Sequence, residues 1–418
     1  MNNGILVACH DCALVQRIST LPKVGLVRCK RCSALLFQSS ADNIDRPLAL
    51  YVTALIFFIL ANSFPLLTLK FEGRIETTTL IGGVSTLYQQ GMIGLALLVF
   101  LTTVLVPFVQ LISAIWALSA LKFQIYKKSL PRLLRLFVKS YPWGMMEVFM
   151  LGIFVAVVKL ADMAGIVMGV GAYCFGGLIF IAAAAASSMD LYLFWERIAL
   201  SPSAIPSDQI QRVPLVSCHS CHFLSKTPLN RSLQSFCPRC GEPLHARKVD
   251  SLARTWALVL AAAILYIPAN VLPVMRTVSM GSEQSDTILS GVIYLMVNDM
   301  WPLAIVIFVA SIFVPMMKLV VLVYLLLSVQ LKSIRFARDR TFLYRIIETV
   351  GRWSMVDIYV VTLLVALVKL GALATIEAGP GAIFFAGVVI ITIFAALSFD
   401  PRLIWDTQEP NYERTKQQ

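Results

Sequence analysis

WPLAIVIFVASIFVPMMKLVVLVYLLLSVQL, residues Trp301–Leu331, is an almost unbroken apolar run. At about 1.5 Å per residue such a helix exceeds the roughly 30 Å hydrocarbon core of a bilayer, so the stretch predicts a transmembrane span with some excess length. Lys318 sits near its middle, three residues after Pro315. A bare ammonium at that depth costs at least about 2.5–3.5 kcal/mol on insertion scales. A partner that makes this cost tolerable is therefore expected elsewhere in the chain.

Composition agrees with a membrane protein. The chain of 418 residues is 58% hydrophobic and 14% charged, and apolar runs of span length recur along it. Its net charge of +12 lies in short polar segments beside the runs. That is the positive-inside pattern, and the segments are too short to fold as a nucleic-acid reader, so no nucleic-acid partner is expected. No cleavable signal peptide is read, and the first apolar run, from about Leu48, is expected to act as an uncleaved anchor.

The sequence is one unit written twice. Cys9-x-x-Cys12 and Cys29-x-x-Cys32 recur as Cys218-x-x-Cys221 and Cys237-x-x-Cys240, displaced by about 209 positions. Asn62-Ser-Phe-Pro65 recurs as Asn270-Val-Leu-Pro273, and Thr79-Leu-Ile-Gly-Gly-Val84 as Thr287-Ile-Leu-Ser-Gly-Val292. Pro107 matches Pro315, Trp143 matches Trp353, and Asp190 matches Asp400. The expected fold is an all-α polytopic membrane protein: a tandem duplication of a four-span helical bundle, each copy preceded by a small cytoplasmic zinc-ribbon (rubredoxin-like) module. Residues 1–45 form the first ribbon, 46–200 the first bundle, 201–250 the second ribbon, 251–406 the second bundle and 407–418 a cytoplasmic tail. Spans are expected at about 47–69, 91–121, 143–164 and 170–194, then at about 254–275, 300–331, 353–374 and 379–399.

Charge sets the orientation. Lys122, Lys127, Lys128, Arg132, Arg135 and Lys139 fill one loop between spans two and three; Lys332, Arg335, Arg338, Arg340 and Arg345 fill the other. Both should face the cytoplasm, which also places both cysteine modules and both termini there. Leu130 to Val138 sets apolar residues between cations, which fits either an interfacial helix or a solvated topology signal.

Eight of the nine cysteines fall in the four Cys-x-x-Cys pairs. Two knuckles per copy, with about 16 residues between them, match tetrahedral four-cysteine sites. Cys9, Cys12, Cys29 and Cys32 form one such set, and Cys218, Cys221, Cys237 and Cys240 the other. Each module is too small for an apolar core, so a metal, zinc in preference to iron, would supply its folding free energy. A closed four-sulfur site leaves no open position for a substrate, so a structural role is expected.

The buried ammonium leads to a candidate site. Ser311 lies two turns before Lys318, Ser354 and Asp357 open the next span, and Thr392 lies in the last. Lys318 and Asp357 are expected to pair, with the three hydroxyls completing a polar cluster. Asp357 lies about one turn past Arg352, so the pair can meet only if the long helix projects or the cluster sits in the inner half. In the first copy Gln110, Gly144 and Ala182 replace Lys318, Ser354 and Thr392, while Glu147 keeps the acid of Asp357. The second copy is thus expected to hold the working site. Pro107 and Pro315 are expected to kink span two of each copy. No nucleotide loop, nucleophile elbow or zinc-protease helix is present, so no enzyme is expected.

Pro268-Ala-Asn-Val-Leu-Pro273, Ala310-Ser-Ile-Phe-Val-Pro315 with Lys318, Gly351-Arg-Trp-Ser-Met-Val-Asp357, and Phe399-Asp-Pro-Arg-Leu403 with Trp405-Asp406 resemble the paraquat-inducible protein A (PqiA/LetA) family of bacterial inner-membrane proteins. The likeness spans nearly the whole chain; the first copy departs from it with Ser140-Tyr-Pro-Trp-Gly-Met-Met-Glu147. The resemblance implies a membrane-anchored MCE-domain partner that forms a tunnel across the periplasm. It implies a role in moving phospholipid between inner and outer membranes, with the second bundle's polar cluster as the moving part. Two rival expectations are a redox-sensing protein with iron in its ribbons, and a structural anchor for the MCE partner.

Overall fold

Helices form where the apolar runs lie because a backbone removed from water must satisfy its hydrogen bonds within its own segment. The computed structural model describes residues 5–18, 25–39, 44–71, 74–125, 130–161, 165–189, 194–195, 215–226, 235–245, 247–279, 282–368 and 374–406. Among these residues eight helical stretches are long and apolar enough to cross a membrane, and the chain is a multi-pass membrane protein. The tail at 407–418 lies outside the described residues.

The first copy opens with two antiparallel hairpins, β1 (Ile5–Ala8) with β2 (Val15–Ile18) and β3 (Gly25–Arg28) with β4 (Leu35–Ser39). Helix α1 (Asp45–Ser63) ends because Pro65 forces Phe64 into extended backbone, φ −101 and ψ 152. The chain then forms β5 (Leu67–Phe71) and β6 (Arg74–Thr78), and α2 (Leu80–Gln89) starts where Thr79 accepts from the Gly82 N–H at 3.0 Å. α3 (Ile93–Phe100) and α4 (Val106–Lys122) make the second span, and α5 (Leu130–Ser140) and α6 (Met146–Ala161) the third. β7 (Gly165–Met168) returns to pair with β5, giving the sheet order β6-β5-β7, and α7 (Val170–Ser188) ends the copy.

The second copy repeats this plan. Its ribbon holds β8 (Leu215–Ser217) and β9 (Leu224–Lys226). Then follow α8 (Ser251–Val271), β10 (Met275–Ser279), β11 (Ser282–Asp286) and α9 (Ile288–Val297). α10 (Trp301–Phe308) and α11 (Val314–Gln330) form span two, and α12 (Ala337–Val350) and α13 (Val356–Leu367) span three. β12 (Ala374–Ala378), α14 (Pro380–Ser398) and α15 (Leu403–Asp406) complete it.

Two features correct the sequence expectation, and a third decides between its alternatives. Each copy carries a three-stranded sheet on the side away from the ribbons, where the first span was expected to continue to about 69 or 275. Gly169 and Gly379 open the last span hard against it: a Cβ at either would collide with the carbonyl of Pro65 or Pro273. Of the two readings of Leu130 to Val138 the helix holds, and it is not a surface helix alone, since Leu130, Leu134 and Phe137 are buried on α5; Lys127 and Lys128 lie outside the described residues. Finally, span two is interrupted by a π turn, Leu101–Leu105 in one copy and Val309–Phe313 in the other, immediately before Pro107 and Pro315. The wider turn accommodates the residue that has no N–H to donate.

The copies meet along α6 and α13. A Cβ at Gly152 would lie 2.9 Å from that of Tyr359, and the buried Tyr359 hydroxyl donates to Thr102 Oγ1, in the first copy's π turn, at 2.8 Å. The correspondence between the copies breaks down at α2 and its counterpart. α2 packs across onto α13, with Gly83 facing Thr362 and Ala366, and Gln90 bonds the Ile376 carbonyl and the Ala378 N–H of β12, both at 3.4 Å. Its counterpart α9 packs on α10 and β11 of its own copy. Gly291, in the place of Gly83, faces open space, and Asn298, in the place of Gln90, folds back onto the Tyr294 carbonyl.

Candidate functional site

Lys318 is 1% exposed, within the first two turns of α11 after Pro315. Its Nζ donates to the Gly351 carbonyl at 2.9 Å and to Thr392 Oγ1 at 3.2 Å. Thr392 is free to accept because its own hydroxyl donates to the Val389 carbonyl at 2.9 Å. Gly351 is what allows the approach: a Cβ there would lie 3.0 Å from Lys318 Cε. The backbone carbonyl is exposed for the bond because Gly351–Met355 is a 3-10 turn between α12 and α13, which leaves the helical ladder locally open.

The expected Lys318–Asp357 ion pair is not formed. Asp357 lines a separate small cavity with Leu95, Val274, Val361 and Phe385. Span three already runs as helix from Ala337, so Gly351 reaches the depth of Lys318 and Asp357 lies further along the same span. The depth mismatch anticipated from the sequence is real but has the opposite sense. Ser311 and Ser354 are fully buried on the π turn and the 3-10 turn, which touch, yet neither hydroxyl has a hydrogen-bond partner. Of the expected cluster, Lys318 and Thr392 are joined, and the two serines lie on the adjoining turns. In the first copy Gln110 holds the place of Lys318 and donates to the Ser140 carbonyl at 2.7 Å, a neutral version of the same helix-to-turn tie.

The cysteines assemble as their spacing requires. Each set of four buries its sulfurs within 4.8 Å of one another. Cys9–Cys32 and Cys12–Cys29 stand 3.4 and 3.6 Å apart, and Cys218–Cys240 and Cys221–Cys237 both 3.5 Å. Tetrahedral ligation at about 2.3 Å per sulfur puts neighbouring sulfurs about 3.8 Å apart, so the sets fit a metal ion. All four knuckles share one backbone form. The residue after the second cysteine (Ala13, Ser33, His222 or Gly241) has positive φ, and its N–H returns to the carbonyl of the first cysteine. The histidines stand outside both sets. Burial, helped by the charges of Arg402 and Lys248, pushes His219 down to about 4, and burial beside His10 does the same to His222.

The ribbons dock crosswise. The first sits on the second bundle: Arg345 of α12 donates to Asp11 at 2.6 Å and to the Cys32 carbonyl and sulfur at 3.1 and 3.3 Å. Arg338 reaches Ser33, Arg402 reaches the His10 carbonyl, and Arg31 lies 4.4 Å over the Trp405 ring. The second ribbon reaches the first bundle through Glu242, which accepts from Arg135 at 2.8 Å and Lys139 at 2.7 Å. Burial alone would raise the Glu242 carboxyl, but these two cations outweigh it and hold it below the usual range. Between the ribbons and the second bundle lies a polar chamber of about 570 Å³, bounded among others by His10, His222, Lys248, Glu348 and Arg402.

The model of the family described as Paraquat-inducible protein A matches residues 44–199 and again 252–409. The chain belongs to that family. The two matches coincide with the two helical copies and leave the ribbons outside. Among curated proteins, "Intermembrane transport protein PqiA" of Escherichia coli K12 is 33% identical over 96% of both chains. "Lipophilic envelope-spanning tunnel protein A" of the same strain is 31% identical over 97% of this chain and 92% of its own. No solved structure matches.

In this family member, sequence reasoning missed the acceptor of Lys318, a backbone carbonyl that no side chain announces. It also missed Arg345, Asp11 and Tyr359. A weak signal existed for the first: Gly351 precedes Arg352 at the start of a span, where a residue without Cβ invites close approach.

Proposed function

We propose that this protein is the inner-membrane component of a system that moves lipid between membranes. Similarity along 96% of both chains to a protein named for intermembrane transport supports the reading, and so does the name of the second relative, an envelope-spanning tunnel protein. In this proposal the ribbons and both termini face the cytoplasm and the two sheets face the periplasm. There an MCE-domain partner anchored in the membrane takes up or delivers phospholipid. Zinc fills both four-cysteine sets and fixes the crossed ribbons; it supplies no chemistry. The protein is a transporter component, not an enzyme.

The single observation that carries the working site is the ammonium of Lys318 held deep in the second copy by neutral acceptors. A charge maintained at such cost, where the other copy uses Gln110, is a functional feature rather than a scaffold requirement. Ser311, Ser354 and Thr392 complete the site; Asp357 lies outside it, further along the span, with Glu147 as its first-copy counterpart. The test is complementation of an envelope defect in cells lacking the native protein. Lys318→Ala should abolish it at unchanged protein level; full rescue would defeat the assignment. The four-sulfur sets would also accept iron, and a redox-sensing role would follow if the purified protein held iron with a visible absorption band. A colourless protein with zinc supports the transport reading.

A further inference from the structure

Beside Lys318 lies a cavity of about 200 Å³ between the two copies. Lys318, Arg352, Thr392 and Glu348 supply its polar wall; Tyr141 from the first copy and Leu397 from the last span supply part of the apolar one. We propose that this cavity binds the phosphodiester of a membrane phospholipid between Lys318 and Arg352. The inference rests on the transport reading and names what its site recognises.

Three observations lead there. An ammonium has three N–H donors, and Lys318 places two of them, on Gly351 and Thr392. Both acceptors are neutral, so the donors are partly satisfied while the charge is not, and no carboxylate bonds Lys318 among the described residues. A buried cation in that condition is completed by an anion. Second, Arg352 lines the same space, and a guanidinium with an ammonium matches the two free oxygens of a phosphodiester. Third, the size is that of a headgroup. Pockets that enclose whole small ligands run from about 300 Å³ upward, so this one admits the charged end and leaves acyl chains outside.

Glu348 decides between a lipid and free phosphate. It lines both this cavity and the ribbon-side chamber, so its carboxylate stands between the site and the water there. An anion arriving from that water meets a like charge before it reaches Lys318.

The experiment uses the full-length protein, reconstituted with phosphatidylethanolamine and phosphatidylglycerol and then washed with lipid-free detergent. Retained phospholipid is measured by phosphorus content and native mass spectrometry. Wild type should retain a stoichiometric phospholipid, and Lys318→Gln and Arg352→Gln should each reduce it by about tenfold or more. The exposed Lys332→Gln is the control and should retain it fully. Should Lys318→Gln fail to fold, Arg352→Gln, on a half-buried side chain, keeps the test open. Equal retention in wild type and Arg352→Gln overturns the proposal, as does displacement of the lipid by inorganic phosphate. Complementation separates the two levels. An Arg352→Gln protein that loses its lipid yet rescues the envelope leaves the site standing and removes it from transport. One that keeps its lipid yet fails to rescue does the reverse.

Discussion

At the scale of single residues, the decisive contact is between a side chain and a backbone. Lys318 lies close against the Gly351 backbone because residue 351 has no Cβ; one there would stand 3.0 Å from Cε and 3.4 Å from Nζ. Gly351→Ala should therefore shift the ammonium by a few tenths of an ångström and weaken complementation while leaving the fold intact. Lys318→Met should lose function too, yet its thermal midpoint in detergent should equal or exceed that of wild type. An apolar chain of similar volume no longer brings a desolvated charge into the interior, which offsets the loss of the bonds to Gly351 and Thr392. A Lys318→Met protein that unfolds would mean the ammonium is structural. The ribbons offer a residue-scale test of their own. Ala13 takes φ 57, a conformation that costs an L-residue roughly 1–2 kcal/mol and glycine little. Ala13→Gly should slow loss of metal to a chelator from the first ribbon.

At the scale of elements, what was legible in the sequence was whatever repeats or spaces itself locally. Cys-x-x-Cys pairs declare a four-sulfur site because the ligands must lie at fixed separations, and the long apolar runs declare spans because a bilayer has a fixed thickness. The β5–β6–β7 and β10–β11–β12 sheets were not legible, since strands of four or five residues beside a span look like its continuation until Pro65 or Pro273 ends the helix. Crossed docking was hidden for another reason. Asp11 and Arg345 are ordinary polar residues in sequence, and only the fold brings them to 2.6 Å. That contact makes α12 the link between the first ribbon and the Gly351 turn, because Arg345 touches Cys32 about one and two-thirds turns before Gly351. Arg345→Gln should accordingly speed metal release from the first ribbon and leave the second, docked through Glu242, unchanged. Equal release from both, followed by chelator-competition kinetics, would contradict the crossed arrangement.

At the scale of the whole molecule, two copies of one sequence unit adopt two different states. On the side away from the ribbons α2 crosses to α13 and is tied to β12 through Gln90, whereas α9 stays with its own copy and leaves Tyr294 exposed where its counterpart Thr86 is buried. A duplicated pair that had kept its symmetry would seat both helices or neither. The difference is open to measurement at one pair of equivalent glycines. Gly83 faces Thr362 Cγ2 at 3.4 Å and Ala366 Cβ at 3.8 Å from where a Cβ would stand; Gly291 faces nothing within 4 Å. Alanine fits at both positions, so Gly83→Ala and Gly291→Ala should leave the thermal midpoint near that of wild type. A larger side chain separates them. Gly83→Leu forces the α2–α13 seat apart and should cost about 1–3 kcal/mol, the usual range for overpacking, while Gly291→Leu meets open space and should cost little. Should both leucine variants destabilise alike, α9 must close on the first copy as α2 closes on the second, and the asymmetry would be only one phase of an exchange between two equivalent arrangements.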